Sequence, residues 1–132
     1  MCLPVQPFKV EREWTHAGLQ CAVVQAREDS HRCGSVRVPS IHPAFGKSYV
    51  DLDVSVHGDL TFGDLELCVE HKDGQGYWFG FNCAHSGDAM YDPAAKNELE
   101  HYFIHAGDHY WFQDEVEAET ERLAEQLALI VN

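Results

Sequence analysis

The chain has 132 residues, of which 45% are apolar and 23% charged, and it carries a formal net charge of −13. That length suits one domain, and the apolar share suits an ordinary buried core, so disordered, collagen-like and solenoid readings are excluded. The acid is concentrated: residues 1–50 hold four acidic against six basic residues, whereas residues 51–132 hold 18 acidic residues against Lys72, Lys96 and Arg122. Nucleic acid and anionic membrane surfaces are poor partners for such a chain; a protein with a basic surface is a better one.

The longest apolar run, Leu127 to Val131, is far short of the ~20 residues needed to cross a bilayer, so no membrane contact is expected. The segment from Met1 to Trp14 offers no apolar stretch of the kind a secretory signal needs, and a cytosolic location is expected. Cys2, Cys21, Cys33, Cys68 and Cys83 are odd in number and form no C-x-x-C pair, which reads as free thiols.

In chain order, Phe8 to Thr15 and Leu19 to Arg27 read as two strands joined by His16-Ala17-Gly18, with Gly18 supplying a positive φ. Gly34 to Pro39 is a further short strand, and Ser40 to Ser48 a loop. Tyr49 to His57 gives the clearest alternation: Val50, Leu52, Val54 and Val56 against Asp51, Asp53, Ser55 and His57, the pattern of a strand with one buried face. Turns are expected at Gly58-Asp59 and Gly63-Asp64. Leu65 to His71 and Tyr77 to Ala84 then form a hairpin around Lys72 to Gly76, with something packed closely on Gly80. Residues 94–105 fit a short helix ended by Gly107.

A longer amphipathic helix begins at Asp114, where Asp114 and Glu117 match a capping box. Val116, Thr120, Leu123, Ala124, Leu127 and Val131 fall on one side, and Glu115, Glu119, Arg122, Glu125 and Gln126 on the other. Strands first and a helix last predict a single α+β domain over residues 1–132, a mostly antiparallel sheet built from hairpins with the C-terminal helix packed on it.

The densest polar chemistry follows the apolar strand. Cys83, His85 and Asp88 are spaced to converge across the Ser86-Gly87 turn, and His57 closes the strand from Val50. Thiolate, imidazole and carboxylate are the donors zinc accepts, so His57, Cys83, His85 and Asp88 form a candidate metal site, with zinc the candidate ion and no cofactor the default expectation. The same residues allow a Cys83 nucleophile with His57 as its base, or only a hydrogen-bonded turn around a buried Cys83. His101, His105 and His109 recur at four-residue spacing, read as solvent-facing histidines rather than a metal stripe. Trp111 sits in an aromatic block that fits core or interface equally.

Several blocks, taken in order, resemble a known family. They are Glu13-Trp14-Thr15-His16-x-Gly18-Leu19-x-Cys21; His31-Arg32-Cys33-Gly34-x-Val36-x-Val38-Pro39; His42-Pro43 and Tyr49; Val56-His57-Gly58-x-Leu60-Thr61-Phe62; Trp78-Phe79-Gly80-Phe81-Asn82-Cys83-Ala84-His85-x-Gly87-Asp88; and Asp114-Glu115 leading into Glu121 to Leu127. This pattern resembles small, functionally uncharacterised proteins of tailed bacteriophages and prophages. The chain differs in having Asn82 where the family pattern carries Asp, and Asp59 after His57-Gly58 where it carries a second Gly. The resemblance implies a phage accessory product in a bacterial cytosol that binds and blocks a host protein, such as a CRISPR or restriction complex. Asp114, Glu115, Glu119, Glu125 and Trp111 are the expected binding residues; no enzymatic activity is expected from this reading, a metal-supported or thiol-dependent reaction at His57, Cys83, His85 and Asp88 being the alternative.

Overall fold

The computed structural model describes residues 3–4, 7–28, 30–66, 75–84, 88 and 109–131. The first hairpin forms where the sequence places it. Strands β1 (Lys9–His16) and β2 (Leu19–Gln25) are joined through Ala17 and Gly18 with φ of 54° and 80°, the left-handed pair that matches the twist of a two-residue hairpin. With β3 (Arg32–Val38), β4 (Phe62–Leu65) and β5 (Tyr77–Asn82) they form one antiparallel sheet in the order β1-β2-β3-β5-β4. The helix α1 (Gln113–Ala128) packs on it, so the architecture is α+β, a hairpin-built antiparallel sheet backed by a C-terminal helix.

Strand alternation sorts the core into two faces. Cys21, Val23, Val36, Val38, Phe79 and Phe81 meet Val116, Leu123, Ala124 and Leu127 of α1. Behind the sheet, Ala22 and Trp78 pack with Leu3, Val24 and Phe62. That second face also buries a charge pair: the Glu66 carboxylate accepts from Arg37 Nε at 2.6 Å, Gly76 N–H at 2.7 Å and Trp78 Nε1 at 3.1 Å.

The helix comes close to the sheet because Gly34 has no side chain. A Cβ there would lie 2.2 Å from Thr120 Oγ1 and 2.6 Å from Phe81 Cζ. Thr120 is fully buried and its hydroxyl donates to the Val116 carbonyl at 2.7 Å, so even the polar residue of the packed stripe is satisfied within the helix. The close approach expected at Gly80 is the Phe62 ring, whose Cζ would be 2.1 Å from a Cβ at that position.

Three expectations require correction. Tyr49 to His57 is no strand: Tyr49–Asp51 is a single 3-10 turn, and residues 52–57 belong to none of the strands. The alternation survives in burial, from half-buried Leu52 and Val54 to buried Val56 with Asp53 and Ser55 exposed. The neighbour is a helix, not a strand: the Gln126 side chain accepts from Ser55 N–H at 2.7 Å and donates to Ser55 C=O at 2.9 Å, replacing a ladder partner. Val50, expected inside, is 71% exposed.

Gly63-Asp64 lies within β4 rather than in a turn, so the second hairpin begins three residues earlier than Leu65, with Leu65 already opposite Tyr77. Gly63 leaves room for the Phe79 ring, which a Cβ would touch at 3.0 Å, and its carbonyl accepts from the Tyr77 hydroxyl at 3.1 Å.

The helix starts at Gln113, with Phe112 at the N-cap, and the Glu115 carboxylate accepts from the Phe112 N–H at 3.1 Å, in place of a box between Asp114 and Glu117. Val131 lies past its end and is 80% exposed. The expected helix over 94–105 and most of the expected Leu65 to His71 strand lie outside the described residues.

Gly34→Ala should destabilise the fold by about 1–3 kcal/mol, because Thr120 and Phe81 must give way together. Urea denaturation checks this, and an unchanged midpoint would mean that the helix is not held at its height over β3.

Candidate functional site

The polar cluster that forms around Asp88 joins parts of the chain that are remote in sequence. Asp88 is buried, pairs as an isolated parallel bridge with His109, and holds the His57 and Trp111 side chains through its carboxylate. His57 Nε2 lies 2.9 Å from Oδ1 and 2.7 Å from Oδ2, and Trp111 Nε1 donates to Oδ1 at 3.1 Å. The carboxylate can only accept, so this geometry fixes the His57 tautomer with its proton on Nε2. The imidazole also stacks on Trp111, with centroids 4.3 Å apart and planes inclined by 35°. His109 meets the same indole edge-on at 5.4 Å and pairs with Glu115 at 2.7 Å.

A second group of residues, with no local signal in the sequence, carries this cluster. Arg32 grips Glu11 in a two-pronged pair, Nε to Oε1 at 2.5 Å and NH2 to Oε2 at 3.2 Å. Its remaining prong donates to the Tyr110 hydroxyl at 3.1 Å and the Trp111 carbonyl at 3.0 Å, and Tyr110 in turn donates to the Ser30 carbonyl at 2.8 Å. Residues 110–111 are thereby fastened to the start of β3, which sets the Trp111 indole against His57 and Asp88. Partners almost 80 positions apart leave no trace in spacing or periodicity.

Of the four expected metal ligands, the structure brings His57 and Asp88 into direct contact. Cys83 follows β5 with its N–H donating to the Arg32 carbonyl at 3.0 Å, and it is 1% exposed within the core under α1. Burial above all, and then the negative charge of Asp88, push its thiol well above the ordinary thiol range. His85 lies outside the described residues, as do His101 and His105. Among the described residues, no three His, Cys, Asp or Glu side chains are gathered in a way that could hold a metal ion. What this arrangement can do is orient an imidazole; the thiol beside it is a core side chain.

The expected binding residues divide differently. Trp111 is the centre of the Asp88 cluster rather than a separate surface anchor. Glu115 is engaged by His109 and the Phe112 N–H, Glu119 pairs with Arg122, and Glu125 lies 2.8 Å from His16 Nε2. Asp114 is exposed in the first helical turn, where a carboxylate is favoured by the helix dipole. No helix among the described residues is long and apolar enough to cross a membrane. Comparison with known proteins finds no match: no protein family, no curated protein and no solved structure is significantly similar to this chain.

Two outcomes test the site. Asp88→Ala removes the acceptor shared by His57 and Trp111 and should cost about 1–3 kcal/mol of stability in chemical denaturation; a variant as stable as wild type would make the cluster incidental. The thiols give a pH effect: burial raises Cys21 from an ordinary 9.0 to about 12, with the charge of Glu121 adding to it, and Cys33 to about 11. Below pH 9 both thiols are protonated in folded and unfolded chains alike; above it the unfolded chain releases protons that the folded chain keeps. Stability should therefore fall as pH rises from about 9 towards 11–12, and fall less in Cys21→Ala, as measured by denaturation midpoints across that range. An identical pH slope in the variant would contradict this.

Proposed function

We propose that this chain is a phage or prophage accessory protein that binds a basic surface of a host protein and inhibits or modulates it, a nucleic-acid-handling defence complex such as CRISPR machinery being the class of target. The observation that carries this reading is the state of the acidic residues. Asp51, Asp53 and Asp59 are exposed and their carboxylates have no hydrogen-bonding or ionic partner among the described residues, whereas Glu115, Glu119 and Glu125 are engaged within the molecule. The contact edge is accordingly the stretch from 51 to 59, beside the 71%-exposed Val50, with Asp114 as the remaining free acid of the expected helix surface.

Carboxylates on such an edge mimic the charge of a phosphate backbone, attract a groove built for nucleic acid, and raise the rate of encounter. An apolar side chain among them gives the contact area that charge alone does not supply. The thiol-dependent alternative has less support, because Cys83 is enclosed and its thiol is held protonated. The zinc alternative rests on His57 and Asp88, and these face each other through the atoms a metal would require.

The test is a purified CRISPR effector or restriction complex assayed for association and for interference in cells. Binding should weaken steeply with added salt, and Asp51→Lys, Asp53→Lys and Asp59→Lys together should weaken it at least about tenfold, one such loss being ~1.4 kcal/mol. Reversal of Glu115, Glu119 and Glu125 should act through folding stability instead. Association that is insensitive to salt and to the triple reversal would overturn the reading.

A further inference from the structure

The sheet face turned away from α1 contains a cavity of about 350 Å³ that neither the Asp88 cluster nor the acidic edge uses. Leu3, Pro4, Pro7, Val24, Ala26 and Phe62 line it, together with Cys33, Ser35 and Asp64. Its depth follows from the register of the sheet. Val24 and Cys33 face one another across β2 and β3 in its lining, Ser35 lies two residues further along β3, and Phe62 of β4 supplies an aromatic side. A sheet face that elsewhere carries Trp78 is here left open, with an aromatic wall. Its size lies within the ~300–1,000 Å³ typical of ligand sites, which combine apolar walls with a few placed polar groups.

The polar groups here are few and different in kind. Ser35 is only 2% exposed and lies in the lining, where its hydroxyl is a neutral donor and acceptor. A hydroxyl on an otherwise apolar wall gives the polar atom of a ligand one place to pair. Asp64 is exposed, with one carboxylate oxygen accepting from the Leu65 N–H at 2.8 Å, and it adds a negative charge to the lining. Together with the net charge of −13, it disfavours carboxylates and phosphates.

We infer that this cavity is a binding site for an uncharged aromatic molecule bearing a single hydrogen-bonding group, its ring against Phe62 and Val24 and its polar atom paired with the Ser35 hydroxyl. The site is separate from the proposed host-binding edge, and each stands without the other.

The experiment is a titration of the full chain with 1-naphthol, followed by amide chemical shifts, with naphthalene-2-carboxylate as the anionic comparator. Saturable shifts should centre on Val24, Ala26, Cys33, Ser35, Phe62 and Asp64. Ser35→Ala should weaken naphthol binding about fivefold, as expected for one neutral hydrogen bond. Ala26→Trp, which fills the cavity, should abolish it. The carboxylate should bind more weakly than naphthol, and Asp64→Asn should narrow that gap. Shifts that do not saturate or that centre elsewhere would overturn the inference, as would wild-type affinity in Ser35→Ala or equal affinity for the two probes. The Ser35→Ala arm removes one oxygen only and decides the matter even where the tryptophan variant does not fold.

Discussion

The close seating of α1 on β3 at Gly34 is the constraint from which the other arrangements follow. With nothing but hydrogen at that position, Thr120 lies directly over the strand, and the helix is set at a height that a methyl group would disturb. Glu117, Glu121 and Glu125, spaced by four along one flank, then come level with Arg12, Trp14 and His16, spaced by two along β1. Arg12 pairs with Glu117, the Trp14 indole donates to Glu121 at 3.2 Å, and His16 faces Glu121 and Glu125 at 2.9 and 2.8 Å. A helix repeat of 5.4 Å for 3.6 residues and a strand repeat of about 6.6 Å for two are close enough for three such rungs to match. On the opposite flank, Gln126 takes the place of a strand partner for Ser55, and the segment that follows the 3-10 turn at Asp51 and carries Asp53 is thereby held along the helix.

The Asp88 cluster depends on a different fastening, through Arg32. A guanidinium suits the task because it can serve Glu11 with two donors and still reach Tyr110 and Trp111 with the third nitrogen, which a lysine could not do. Its side chain and that of Glu11 are 12% and 7% exposed, so the pair is largely withdrawn from water. Breaking one member of such a pair leaves the other charge without compensation, so Arg32 and Glu11 belong to the stability of the cluster, not to a free electrostatic surface. Residues 57–62 also meet Gly80 and Asp88 in space: His57 touches Asp88, Thr61 N–H donates to the Gly80 carbonyl at 2.8 Å, and Phe62 covers Gly80.

The first hairpin, the chemistry of Gly80 and the amphipathic helix were legible because each rests on contacts between near neighbours or on a periodicity that one face of one element must satisfy. Residues 49–57 were misread for a physical reason. Alternation reports that an extended chain has one dry side, and it does not report whether hydrogen bonds run to a strand or to a side-chain amide. Gly63 was misread as a turn because a glycine needed for a close ring contact looks the same as one needed for a positive φ. Of the candidate site, the meeting of His57 with Asp88 was legible from the end of one segment and the turn after another. The Arg32 clamp and the buried Arg37–Glu66 pair were not, since both join charges distant in sequence that composition counts as surface.

Charge is where a sequence reading and a structure diverge most. A net charge of −13 predicts an acidic exterior, yet it counts every carboxylate alike. In the folded chain, Glu66 has a fully buried side chain, Glu11 nearly so, and Glu117, Glu119, Glu121 and Glu125 each have a partner within the molecule. Paired acids lose much of their field to the neighbouring cation, so a partner senses chiefly the unpaired ones, which among the described residues include Asp51, Asp53 and Asp59 together with Glu13, Glu28 and Asp114. The helix richest in acid is therefore the weaker candidate for an electrostatic contact, and a shorter segment outside the strands and α1 is the stronger one. That segment is laid along the helix by Gln126, which means that the paired face and the free edge are two consequences of one packing arrangement.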